Sequence, residues 1–117
     1  MKIVAFRDDG WFDATTDFRT WDHLCRAYAV EFQLITEWDE VRVGDSKVYV
    51  LDEGGDQELA EHVVDLDGIY VFGRTGLDLR LAVPSPDAII GITTPAPIAL
   101  FGHCAAAILL RHMWLSR

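Results

Sequence analysis

A basic cluster near the N-terminus is the first group of side chains that could do chemistry. It consists of Arg19, His23 and Arg26, and spacings of four and three residues place them on one face of a helix. Two arginines beside a histidine could receive a phosphate or assist the deprotonation of a substrate. The alternative is a solvated helix face whose charges balance neighbouring carboxylates.

Three further segments combine glycine or proline with the end of an apolar run, as ligand-binding loops do. They are residues 51–55, 73–76 and 91–97. Gly73 and Gly76 permit positive φ angles and a close approach of a ligand to the backbone, although an ordinary turn would use them equally well. They match neither a P-loop nor a GxGxxG fingerprint. The small residues after 91–97 fit a flat ligand, or simply tight packing of a helix.

Other kinds of site have little support. The histidines and cysteines lack the spacing of a metal site, so we expect no bound metal. The serines lack the context of a nucleophile elbow. Cys25 and Cys104 are too few for a disulfide scaffold, which favours a reduced, cytoplasmic protein.

Length and charge limit the class of protein. The 117 residues suit a single domain spanning 1–117. With 10 Lys+Arg against 19 Asp+Glu, the net charge of −9 excludes a protein that coats nucleic acid, and any RNA contact needs a local group of arginines. The longest apolar run is far shorter than the roughly 20 residues of a membrane helix, so no membrane association is expected.

Apolar runs and helical periodicity alternate along the chain, and together they predict the elements that position these segments. Strands are predicted at Lys2–Phe6, Phe32–Thr36, Lys47–Leu51, Ile69–Phe72 and Ala88–Ile92. Helices are predicted at Asp17–Val30, Asp56–Val63 and Leu100–Trp114. This alternation favours an α/β fold with a mostly parallel sheet and helices on both faces. Ligands of such sheets bind beyond the carboxyl ends of the strands, where the three loops lie.

Taken in order, these segments resemble the SpoU/TrmH-like RNA 2′-O-methyltransferases of the SPOUT superfamily over nearly the whole chain. The similar segments are 2–6, 23–35, 48–54, 70–77 and 99–110. Their order and spacing carry the resemblance, since no single motif is diagnostic.

The resemblance implies a deep trefoil knot and S-adenosylmethionine bound among the three loops, largely through backbone groups. It implies a homodimer in which the first and last helices pack against the second copy. It also implies methyl transfer to RNA, with His23 or Arg26 assisting at the dimer interface and Arg19 as a further catalytic candidate. By position, the cofactor-binding residues would be Val50, Leu51, Gly73, Ile92, Ala99 and Leu100.

Several positions depart from the family pattern. The family's catalytic arginine aligns best with His23, and Asp17 stands where the family has an asparagine before that helix. No glutamate follows Gly73, and Ala99 and Phe101 replace a serine and an asparagine. Cofactor binding survives such changes more easily than ribose methylation does.

Two alternatives therefore stay open. One is a non-catalytic homodimer of the same fold, which binds the cofactor without turnover or serves as an interaction module. The other is a small flavodoxin-like or response-regulator-like domain, for which Asp8 and Asp9 would supply an acidic cluster at a strand end.

Overall fold

The computed structural model describes residues 1–7, 14–74, 76–96, 98 and 100–117, and of 14–17 the backbone alone. Asp8, Asp9, Ala99 and the side chain of Asp17 therefore lie outside the described part. The strands are β1 (Lys2–Phe6), β2 (Glu31–Ile35), β3 (Val48–Leu51), β4 (Gln57–Glu58), β5 (Ile69–Phe72) and β6 (Ala88–Gly91). The α-helices are α1 (Ala14–Ala27), α2 (Leu79–Ala82) and α3 (Gly102–Ser116), and single 3₁₀ turns lie at Trp38–Glu40 and Leu59–Glu61.

The strands form one six-stranded sheet in the order β2-β1-β5-β3-β6-β4, and every neighbouring pair is parallel. The predicted α/β fold with a mostly parallel sheet is thus confirmed. All residues of β3 and β5 are buried, as continuous apolar runs predict for strands covered on both faces.

The two faces of the sheet carry separate apolar cores. On one face, the long helices α1 and α3 pack against the sheet, with Trp21 and Leu109 among their buried residues. On the other face, Leu79 of α2 and Val83 after it cover the valines of the central strands, such as Val71. Helices therefore lie on both faces, as predicted, but the two long ones share one face.

The prediction of a helix at Asp56–Val63 is wrong. Residues Gln57 and Glu58 instead form β4, which pairs with Ile90 and Gly91 at the edge of β6. The reason is tertiary: the backbone of Gly55 lies so close to β6 that a Cβ there would be 2.5 Å from the Gly91 nitrogen. Strand pairing at this edge outweighs the marginal stability of a short helix.

The first helix also ends earlier than its predicted end at Val30. Ala29 adopts a left-handed conformation with φ of 56°, and the Val30 N–H donates to the Cys25 carbonyl. This geometry caps the helix and ends it. The apolar residues continue at helical spacing beyond that point, which is why the predicted end is too late. The buried Cys25 itself has a thiol pKa raised to about 12, mainly by burial and further by Asp22, and so serves as a core residue.

A buried hydrogen-bonded chain lies under the C-terminal half of α3. The Asp65 N–H donates to the Tyr70 hydroxyl at 2.9 Å, which leaves that hydroxyl to donate to His62 Nε2 at 2.7 Å. His62 Nδ1 then donates to the Gln57 side chain at 3.3 Å. Burial, and secondarily His112, lowers the pKa of His62, and burial raises the pKa of Tyr70 to about 12. Both groups are therefore neutral, and their hydrogen bonds tie β4 to the centre of the sheet.

Replacing Tyr70 with phenylalanine tests this chain. We expect Tyr70→Phe to lower the free energy of unfolding by about 1–3 kcal/mol, because it strips buried groups of their partner. Tyr49→Phe is the matched control: its hydroxyl donates to the half-buried Asp65 carboxylate at 2.9 Å, so the loss should be smaller. Denaturant unfolding at neutral pH measures the free energy of unfolding of both variants. Equal losses would contradict the larger contribution that we assign to the Tyr70 hydroxyl.

Candidate functional site

The register of the sheet brings the ends of its central strands to one edge. Phe72 of β5 lies directly between Ala5 of β1 and Leu51 of β3. Leu51 in turn lies beside Ile90 of β6. Because all four strands are parallel, the segments that follow them leave the sheet at the same edge.

A cleft of about 660 Å³ occupies this edge. Leu51, Phe72 and Ile90 line it from the strand ends, and Thr20 and Trp21 line it from α1. The segments after β3, β5 and β6 all contribute lining residues, and they include 52–53, 73–74, 76–77 and 92. The convergence of the three loops on one cleft, which the sequence predicted, is thus confirmed.

Arg80 of α2 holds the loop after β3 in place. Its Nε donates to the Asp52 carboxylate at 3.1 Å, and its Nη2 donates to the carbonyls of Glu53 and Gly54 at 3.0 and 3.1 Å. Gly54 has a φ of 64°, a conformation that favours glycine at this turn. The Asp78 side chain caps α2 by accepting a hydrogen bond from the Arg80 N–H, and this cap helps to position the arginine.

Glu58 of β4 holds the loop after β6 in a similar way. Its carboxylate accepts from the Thr93 hydroxyl at 2.6 Å and from the Thr93 N–H at 3.0 Å. Both hydrogen bonds lower the pKa of Glu58, and the one from the hydroxyl has the larger effect. The carboxylate therefore stays ionised, and it fixes the start of the segment that leads to α3.

The start of α3 packs tightly against both α1 and the loop after β5. A Cβ on Gly102 would lie 3.2 Å from the Trp21 ring and 3.3 Å from the Gly73 carbonyl oxygen. Trp21 is itself fixed by parallel stacking on Phe32, with ring centroids 5.6 Å apart. The small residue at Gly102 therefore serves close packing. In the segment 73–76, Gly76 adopts a positive φ of 78°.

The predicted cofactor-binding residues fall into three groups. Leu51, Gly73, Ile92 and Leu100 line the cleft. Val50 does not line it, and its side chain is fully buried in the core that also contains Val71 and Leu79. Ala99 lies outside the described residues.

The predicted basic face is outside the cleft of its own chain. Arg19, His23 and Arg26 are all exposed, and none of them lines the cleft. Arg26 is 81% exposed and pairs with Asp22 at 3.0 Å, one turn away on α1. Within a single copy, this face is the solvated helix surface that the sequence left open as an alternative.

The cleft contains ionisable residues that the sequence analysis did not name as site residues. They are Asp52, Glu53, Arg74 and His103. Their positions directly after predicted strands or at a predicted helix start were the available signal. Carboxylates beside apolar walls suit a ligand that carries positive charge on an apolar or aromatic body.

Among the residues the structure describes, no group of three His, Cys, Asp or Glu could hold a metal ion, and no described helix is long and apolar enough to cross a membrane.

Comparison with solved structures identifies the fold. A protein studied for the 2-OH methylation of C/U34 on tRNA superposes with a TM-score of 0.76, at 12% identity over 98% of this chain and 89% of that one. A putative RNA methyltransferase from Bacillus anthracis gives 0.71, at 16% identity over 98% and 92% of the two chains. This chain has the fold of the SpoU/TrmH-family RNA methyltransferases.

The resemblance seen in the sequence is therefore confirmed at the level of the fold. The SpoU methyltransferase AviRb from Streptomyces viridochromogenes, in complex with the cofactor AdoMet, also matches, with a TM-score of 0.72 at 11% identity. The match covers 97% of this chain and 58% of AviRb. No protein-family model matches the sequence, and a search of curated proteins finds no similar one.

Removing the Arg80 side-chain contacts tests how the cleft is held. We expect Arg80→Gln to change the free energy of unfolding by less than about 1 kcal/mol, since exposed ion pairs contribute little to stability. Amide exchange at Glu53, Gly54 and Gly55 should nevertheless rise several-fold. Arg42→Gln, at an exposed arginine outside the cleft, is the control. Unchanged exchange in the loop would show that Arg80 does not hold it.

Proposed function

We propose that this protein is an S-adenosylmethionine-dependent methyltransferase that acts on RNA. The observation that carries the proposal is the single cleft formed by the loops after β3, β5 and β6, in a chain with the SpoU/TrmH fold. One solved structure of this fold is described by the 2-OH methylation of C/U34 on tRNA, and another, of the SpoU methyltransferase AviRb, holds AdoMet.

The cleft suits this cofactor in size and in chemistry. Its volume of about 660 Å³ lies within the range of small-molecule pockets, roughly 300–1,000 Å³. Leu51, Ile92 and Leu100 provide apolar walls for an adenosine, and the carboxylate of Glu53 complements a cationic ligand. When bound, the cofactor supplies an electrophilic methyl group on its sulfonium sulfur. The protein's part is then to align the acceptor with that methyl group and to assist loss of the acceptor proton.

A homodimer is part of the proposal, because α3 leaves an apolar surface uncovered. Its buried residues Ala106, Leu109, Leu110 and Met113 occupy one face. On the rest of the helix, Ile108, Trp114 and Leu115 are 42%, 44% and 68% exposed, and Arg111 is its only Asp, Glu, Lys or Arg residue. A helix that is apolar all round is normally covered on all sides, and a second copy would cover this one.

The dimer would also give the basic face of α1 a role. Arg19, His23 and Arg26 do not reach the cleft of their own chain, so they would act on the cleft of the second copy or on its bound RNA. In a protein of net charge −9, such a local group of cations is what RNA binding requires. The trefoil knot that the resemblance implies and the cytoplasmic location that the low cysteine count favours belong to the same proposal.

The second candidate function is a non-catalytic homodimer that binds S-adenosylmethionine or serves as an interaction module. The departures from the family pattern favour it, above all Phe101, which replaces an asparagine. Phe101 is 64% exposed at the mouth of the cleft. The two candidates share the cofactor and differ in turnover.

Calorimetric titration with S-adenosylhomocysteine, the demethylated product, tests the cofactor. We expect saturable binding to the parent protein, and at least a tenfold weaker affinity in Ile92→Trp, whose indole would fill the cleft. Val63→Trp is the control, because Val63 is 88% exposed and outside the cleft. Absence of heat at millimolar ligand would refute cofactor binding, and equal affinity in the two variants would refute the location.

Sedimentation analysis tests the homodimer. We expect the parent to be dimeric at micromolar concentration and Ile108→Glu to be monomeric, because it would bury an unpaired charge in the interface. Leu81→Glu is the control, since Leu81 is 82% exposed on α2, which packs on the opposite face of the sheet. A monomeric parent, or a dimer in both variants, would contradict this interface.

A further inference from the structure

The described histidines differ in what their ring nitrogens do. Both nitrogens of His62 are hydrogen-bonded, to Tyr70 and to Gln57, and His112 Nε2 donates to the His62 carbonyl at 3.0 Å. His23 is exposed on α1. His103 lines the cleft, and among the described residues no hydrogen bond engages its ring.

The His103 ring is held between two aromatic side chains. It meets Trp21 edge-on, with ring centroids 6.3 Å apart, and it lies parallel to Phe101 at 6.0 Å with an angle of 2° between the planes. Its backbone is fixed as well, since it follows Gly102, which packs against Trp21 and the Gly73 carbonyl. A half-buried imidazole in these surroundings is oriented before any ligand arrives.

We propose that His103 is the catalytic base that accepts the proton of the acceptor hydroxyl. This inference rests on the proposed function and names a residue for it. As the acceptor oxygen forms its bond to the methyl carbon, the bond from that carbon to sulfur breaks and its electron pair stays on sulfur. The hydroxyl proton passes to the unprotonated ring nitrogen of His103. The positive charge of the sulfonium thus reappears on the imidazolium, and the charge balances.

The other polar groups are less suited to this step. His23 is exposed on α1 and does not line the cleft of its own chain, so contact with bound RNA is the role that suits it. An arginine stays protonated and has no acceptor atom, which excludes Arg19, Arg26 and Arg74 as bases. Two described carboxylates line the cleft. Asp52 is already paired with Arg80 at 3.1 Å, and Glu53 follows it in the loop that Arg80 holds through the Glu53 carbonyl. His103 lies on a long helix instead, and imidazole is the side chain most often used for proton transfer near neutral pH.

His103→Asn is the variant that tests the proposal, with His112→Gln as the control. We expect His103→Asn to bind S-adenosylhomocysteine within about threefold of the parent, and its rate of methyl transfer to total RNA to fall roughly 10²–10⁴-fold. The rate of the parent should depend on pH, and replacing His103 should remove that dependence. His112→Gln, outside the cleft, should keep the parent's rate and pH profile.

Labelling with diethyl pyrocarbonate, located by mass spectrometry, gives a readout that needs no turnover. His103 should be modified in the free protein and protected several-fold by S-adenosylhomocysteine, while His62 stays unmodified throughout. Absence of heat in the titration would overturn the proposed cofactor and this inference together. Cofactor binding without methyl transfer by the parent would likewise overturn the proposed methyltransferase together with the inference. Transfer by the parent with an unchanged rate in His103→Asn, or cofactor binding with no protection of His103, would overturn the inference alone.

Discussion

The lateral alignment of β1, β5, β3 and β6 is the constraint on which the cleft depends. Phe72 sits between Ala5 and Leu51, and Ile90 sits beside Leu51, so four parallel strands end at the same level. A one-residue slip of a strand would exchange the side chains of its two faces, and both faces are buried here. The apolar cores on the two faces therefore fix the register, and the register fixes where the loops meet.

The loops are held by a few specific contacts. Arg80 binds the turn after β3, and Glu58 binds Thr93 after β6. Gly102 lets the start of α3 approach Trp21 and the loop after β5. Each contact joins a loop to an element of another part of the chain, so the shape of the cleft follows from the tertiary fold rather than from the loop sequences alone.

How much the sequence could predict depends on where each signal resides. The strands Lys2–Phe6 and Ile69–Phe72 are predicted with the bounds that the structure has, because burial on both faces leaves a continuous apolar run. The polar strand Gln57–Glu58 has no such run, and it exists because it pairs with the edge of β6. Glycines and prolines marked the three loops correctly. The role we assign to His103 was out of reach, because its orientation depends on Trp21, which is distant in the chain.

The account reduces to the claim that this cleft is the binding site of S-adenosylmethionine. A crystal structure of the protein grown with S-adenosylhomocysteine is the most direct measurement of that claim. The account predicts the ligand between Leu51, Gly73 and Leu100, with its sulfur facing the ring of His103. A ligand bound elsewhere, or an empty cleft at saturating concentration, would contradict it.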